Sequence, residues 1–173
     1  MLQVDCEFIR QEVESICDDT TVIQLPEKIA KDIAEGSWLL KTLEDLRAEL
    51  FKIGQQLCGG VRPSYYFFIS DKPDGLATPY LEIHGEEYHF IISERGIERE
   101  RHVTFSDEDI LYWFTDCGVC DMASSYAALN NSPDRTFRDV YFRRQYHLMF
   151  SIKPEWATRK HKELTEILKL YPK

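Results

Sequence analysis

No apolar run in the 173-residue chain approaches twenty residues, so the sequence offers no membrane-spanning helix. The N-terminus, MLQVDCEFIRQEVESIC, is acidic and helical in pattern, and lacks the basic-then-apolar order of a secretory leader. A cytoplasmic location is therefore expected. The glycines never fall into G-x-G-x-x-G or a Walker motif, and no G-x-S-x-G elbow is present, so neither a phosphate cradle nor a serine-hydrolase arrangement has support. Cysteine is sparse, and its odd number (Cys6, Cys17, Cys58, Cys117, Cys120) and irregular spacing read as free thiols in a reducing compartment. Cys117 and Cys120 do form a C-x-x-C. No second such pair and no H-x-x-x-H completes a zinc site, and the pair follows a helical stretch where a redox dithiol would follow a strand. No Pro, Gly or Ser-rich segment divides the chain, so one domain is expected over 1–173, with a helical part to residue 60, a sheet over 61–105 and a helical part over 106–173.

Charge of one sign is missing from a long stretch. Between Ser106 and Asn130 there are five acids (Asp107, Glu108, Asp109, Asp116, Asp121) and no Lys or Arg. The whole chain carries a net charge of −9, while the part from Asn131 onward reverses the balance to 10 bases against 5 acids. A net acidic protein repels nucleic acid at long range and attracts cationic partners.

What is present organises itself around Tyr80 to Arg101, YLEIHGEEYHFIISERGIERER. Apolar and polar residues alternate on both sides of Gly85 and Glu86, the pattern of half-buried strands. A two-residue type II′ turn there, with Gly supplying positive φ, sets His84 opposite Glu87, Ile83 opposite Tyr88, Glu82 opposite His89 and Leu81 opposite Phe90. The sequence ERGI then turns into a further strand ending near Phe105, whose Glu98, Arg99, Glu100 and Arg101 alternate in sign as on an exposed edge. Tyr65 to Ser70 (YYFFIS) reads as a central strand covered on both sides.

Helices are expected on either side of this sheet. A short one runs through Phe8 or Ile9, Val13 and Ile16, a second from Pro26 to about Ala34, and a third, capped by Ser37, carries Leu39, Leu43, Leu46, Leu50, Ile53 and Leu57 to a stop at Gly59 and Gly60. Ser106 reads as an N-cap with Phe105 placed to staple onto Ile110, starting a helix from Asp107 to about Thr115 with Leu111, Trp113 and Phe114 inward and Tyr112 at the rim. Further helices are predicted over 121–129, from Thr136 to Phe150, and from Pro154, the last burying Trp156, Leu164, Ile167, Leu168 and Tyr171. The expected fold is α+β, a small, mainly antiparallel sheet over about 65–105 packed by N-terminal and C-terminal helices.

Candidate chemistry is thin. Glu82, His84, Glu87 and His89 are residue types that ligate divalent metals, but an exposed hairpin face supplies no second shell, and cross-strand Glu–His contacts are the simpler reading. No cofactor, no metal and no catalytic residue are expected. Arg135, Arg138, Arg143, Arg144, Arg159, Lys160 and Lys162, interleaved with aromatics, make the best case for nucleic-acid binding, against which the net charge stands.

The segments PYLEIHGEEYHFIISERGIERER, DEDILYWFTD, MASSYA and FRDVYFRRQYHLMFSIKPEW, with a final helix ending in ILKLYP, resemble the immunity protein 63 family of bacterial polymorphic toxin systems. The resemblance covers about Pro79 to Pro172. It implies a small cytoplasmic, non-enzymatic protein that neutralises a cognate toxin domain by binding it. An acidic inhibitor suits a basic toxin, such as a nuclease with a phosphate-binding cleft. Glu82, Glu86, Glu87, Glu94, Asp107, Glu108, Asp116 and Asp121 are the expected partner-binding residues, with no membrane and no nucleic acid as partner. The competing reading is a nucleic-acid-associated regulatory or scaffold protein that uses the basic C-terminal helices.

Overall fold

The computed structural model describes residues 40–59, 67–130, 132 and 134–171. Four helices and a three-stranded antiparallel sheet make up this part of the chain, an α+β arrangement: α1 (Leu43–Leu57), β1 (Tyr80–His84), β2 (Glu87–Glu94), β3 (Ile97–Thr104), α2 (Asp107–Asn130), α3 (Phe137–Ile152) and α4 (Pro154–Leu170). The helices expected around Phe8 to Ile16 and Pro26 to Ala34, and Ser37, Leu39 and Gly60, lie outside the described residues.

Helix α1 begins later than its leucine pattern implied. Leu40 to Thr42 are not helical, and Thr42 is the N-cap. Its hydroxyl accepts from the Asp45 N–H while the Asp45 carboxylate accepts from the Thr42 N–H, so two of the orphan donors at the helix start are satisfied together. Leu46 and Leu50 are fully buried by packing on α2 and α3.

The sheet has the order β1-β2-β3, and the first hairpin has the register the sequence implied, with His84 opposite Glu87 and Leu81 opposite Phe90. Gly85 takes φ +62° and Glu86 does not go positive, as a type II′ turn requires. At the second turn both Arg95 and Gly96 have positive φ, the requirement of type I′. A bulge between Ile92 and Ser93 leaves Arg99 as the extra residue of β3, since Ile92 faces Glu100 and Ser93 faces Glu98. Edge strand β3 is exposed along nearly its whole length.

Tyr65 to Ser70 is not a central strand. Tyr65 and Tyr66 lie outside the described residues, and Phe67 to Ser70 joins the sheet only through an isolated parallel bridge from Ser70 to Tyr80. Phe67 and Ile69 are buried while Phe68 is half exposed, so the run is covered on one side, and its side chains fill the helical core. The loop after it does turn where expected, with the Asp74 carboxylate accepting from the Leu76 N–H at 2.8 Å.

The two helices predicted over 107–115 and 121–129 are one helix, α2. Ser106 does cap it, accepting from the Asp109 N–H, but Phe105 stays 66% exposed and gives no buried staple. Gly118 lies in its middle, where a Cβ would sit 2.5 Å from the Phe67 ring, so glycine admits that ring against the helix backbone. Tyr112 is buried and Trp113 is the partly exposed one, the reverse of expectation. Phe90 of the sheet packs edge-on against Phe114, ring centroids 5.0 Å apart. In α4, Trp156, Ala157 and Leu164 are buried, but Ile167, Leu168 and Tyr171 are exposed.

Gly118→Ala tests the close approach. Ala is worth about 1 kcal/mol over Gly inside a helix, and overpacking a filled core costs about 1–3 kcal/mol. Urea unfolding is expected to show a net loss of up to about 2 kcal/mol; a gain would mean the ring yields freely.

Candidate partner-binding surface

The polar face of the sheet is a connected network. The bulge at Arg99 brings Glu98 and Arg101 to the same face, and Arg101 donates twice to Glu98, from Nε at 2.9 Å and Nη2 at 2.7 Å. That guanidinium holds the Glu98 carboxyl below the usual carboxylate range. Arg101 Nη1 also lies 2.7 Å from His89 Nδ1 and 3.6 Å from Glu82. Since Arg101 only donates, Nδ1 of His89 accepts, and Nε2 carries the proton donated to Glu87 at 3.1 Å. The Glu–His contacts run along each strand, His84 to Glu82 and His89 to Glu87, where cross-strand pairs were expected. The side chains lean along the strand direction, and the two imidazoles meet each other instead, centroids 4.5 Å apart. Among the described residues no group of three His, Cys, Asp or Glu is arranged to hold a metal ion.

The eight acids expected to bind a partner fall into three places. Glu82, Glu86 and Glu87 gather at the β1–β2 turn, with the 41% exposed Ile83 on the opposite face from Glu82 and Glu87, whereas Glu94 lies at the far end of β2. Asp107, Glu108, Asp116 and Asp121 all sit on α2, but at 100° per residue Asp116 projects half a turn away from Asp107. A base-free segment of sequence is therefore not one acidic patch. Asp107 pairs with Lys41 at 2.7 Å, and Glu108 receives Lys153 at 2.7 Å and the Trp156 indole N–H. Glu86 and Asp121 have no ion pair among the described residues.

Asp116 faces inward. Its carboxylate lies 2.7 Å from Nζ of Lys160, which is 5% exposed and also meets Glu163 at 3.2 Å. Burial pushes the Asp116 carboxyl up, with Lys160 partly offsetting it; burial likewise works against the Lys160 charge, but Asp116 outweighs it and leaves the ammonium favoured. Glu163 accepts from the buried Tyr112 hydroxyl at 2.8 Å, and the Arg159 guanidinium, paired with Asp109, lies 3.9 Å from the centre of the Tyr112 ring. Sequence reasoning missed this cluster; the signal was Lys160 and Glu163 three apart on the helical face carrying Trp156 and Leu164.

Cys117 and Cys120 lie within α2 without bonding to each other. Cys117 donates to the Trp113 carbonyl, as a thiol one turn along a helix does, and burial first, then the nearby Asp116 charge, pushes it up to about 12. Neither is placed as a nucleophile. Of the C-terminal bases, Arg138 donates to the Tyr171 carbonyl, and Arg159 and Lys160 are paired as above.

The described part is thus a helical layer on one face of a short antiparallel sheet, with its polar network on the other face and no helix long and apolar enough to cross a membrane. The family model for immunity protein 63 matches residues 84–166, which takes in β2, β3, α2, α3 and most of α4. Over that stretch the chain is similar to the immunity protein 63 family, and the similarity points to a toxin-neutralising immunity function. No curated protein and no solved structure matches the chain.

Lys160→Met leaves the Asp116 carboxylate buried without its cation and is expected to cost about 3 kcal/mol, while the double variant with Asp116→Leu recovers most of that. Equal losses in the single and double variants, read from urea midpoints, would show that the pair does not couple. Cys117 supplies a pH dependence. The folded state keeps the thiol proton that the unfolded state gives up near pH 9, so stability falls as pH rises from about 9 toward 12, by at most about 1.4 kcal/mol per pH unit from this group. Cys117→Ala is expected to flatten the decline between pH 8 and 10; an unchanged slope counts against a buried neutral thiol.

Proposed function

We propose that the protein is an immunity protein that neutralises a cognate toxin domain by stoichiometric binding and not by catalysis. The family match over residues 84–166 carries this reading. Net charge −9 supports a basic toxin, and a nuclease is the toxin class whose cleft, built for a phosphate backbone, an acidic partner fits. The proposed contact surface is the β1–β2 turn with Glu82, Glu86 and Glu87, extended by Glu94 and Asp121. Asp107, Glu108 and Asp116 contribute through the field of the molecule, because each is already tied to Lys41, Lys153 or Lys160.

Titration of the toxin encoded beside this gene with the purified protein, together with protection of cells producing it, tests the reading. Binding at one-to-one stoichiometry is expected, and no binding at micromolar concentration would end it. Glu86→Lys is the cleanest charge reversal and is expected to slow association more at low salt than at high salt. An equal effect at both would argue against steering, and salt-sensitive retention on a DNA or RNA column would favour the nucleic-acid reading instead.

A further inference from the structure

Three arginines of the described residues meet in one groove. A cavity of about 880 Å³ opens between the end of α2 and the first half of α3, with Leu168 of α4 at its edge. Arg135, Arg143, Arg144, Tyr126 and His147 are among the residues that line it. Among the described residues Arg135 and Arg143 have no carboxylate partner and no hydrogen bond from their guanidinium groups. Arg144 stacks on Tyr126, 4.7 Å from ring centre to guanidinium carbon, and its buried Nε has no hydrogen-bond partner. A buried guanidinium nitrogen left unpaired costs free energy that an incoming acceptor would recover.

We infer that this groove docks an acidic segment of a protein partner, with Arg135, Arg143 and Arg144 receiving its carboxylates. The planar guanidinium fork matches a carboxylate with two parallel hydrogen bonds, and stacking on Tyr126 holds one fork in place before the ligand arrives. Charge favours a peptide over a nucleic-acid backbone. The chain as a whole carries −9, which repels a continuous polyphosphate at long range, whereas a protein of positive net charge is attracted and can present a short acidic segment to the groove. The volume suits a few side chains. This inference rests on the protein-binding reading above and adds that the partner presents negative charge to one face and positive charge to another.

Calorimetric titration with a hexaglutamate peptide, a hexalysine peptide and a single-stranded oligonucleotide, at 20 mM and 150 mM salt, tests it on the full chain. The wild-type protein is expected to bind hexaglutamate, more weakly at the higher salt, with at least a tenfold loss in the Arg135→Ala, Arg143→Ala double variant, both residues being exposed and so dispensable for folding. No hexaglutamate binding, binding unaffected by the double variant, or tighter oligonucleotide binding lost in the same variant would overturn it. The cognate toxin separates the two readings. Toxin bound equally by wild type and variant leaves the function intact and removes the groove from the interface, whereas hexaglutamate binding with no toxin binding rejects the function and retains the groove as an acidic-peptide site.

Discussion

Most of the described elements pack against one helix. Over its twenty-four residues α2 touches α1, α3, β2 and β3, and it buries side chains from Ile110 to Ala127. A helix enclosed on several sides needs apolar residues around most of its circumference, and it cannot leave a charge among them without a partner. Both conditions are visible. Gly118 gives the Phe67 ring its place against the backbone, and the one inward acid, Asp116, is met by a lysine from α4. Lys160 in turn is held by Glu163, which also takes the Tyr112 hydroxyl proton in a hydrogen bond. The α2–α4 contact is thus polar at its centre and aromatic around it, with Trp156 edge-on to Tyr112 at 5.7 Å.

That constraint redistributes the surface charge. A stretch of sequence with five acids and no base would present a negative face if it were exposed throughout, yet cations from other elements neutralise most of it: Lys41, Lys153, Arg159 and Lys160. The same holds on the sheet, where Arg101 and Arg99 sit against Glu82, Glu98 and Glu94. Glu86 at the β1–β2 turn and Arg135 and Arg143 in the groove are among the charges left without an ion pair among the described residues. Net charge then governs how a partner approaches, while these two places govern where it settles.

Legibility differed by element for physical reasons. The first hairpin was readable to the residue because a two-residue turn with glycine at its first position fixes the register, and alternation fixes the faces. Thr136 and Pro154 were equally plain helix starts, since capping and proline at the first turn are local effects. Phe67 to Ile69 misled, because aromatic and β-branched residues declare burial without saying whether the backbone is paired. Gly118 shows the converse limit, since nothing in the sequence tells a glycine required by a neighbour 51 positions away from one that ends a helix.

The amino-acid sequence by itself determined the α+β class, the hairpin and its register, the main helix starts of the C-terminal half, and a family pattern extending over residues 84–166, because turns, caps and periodicities act over a few residues. Only the tertiary structure decided that α2 is continuous, that Asp116 is buried on Lys160, that the hairpin histidines pair along their strands, and that Arg135, Arg143 and Arg144 share one groove. Those depend on which side chains meet across the fold, and a carboxylate free in the sequence acquires its partner, or its lack of one, only when the helices pack.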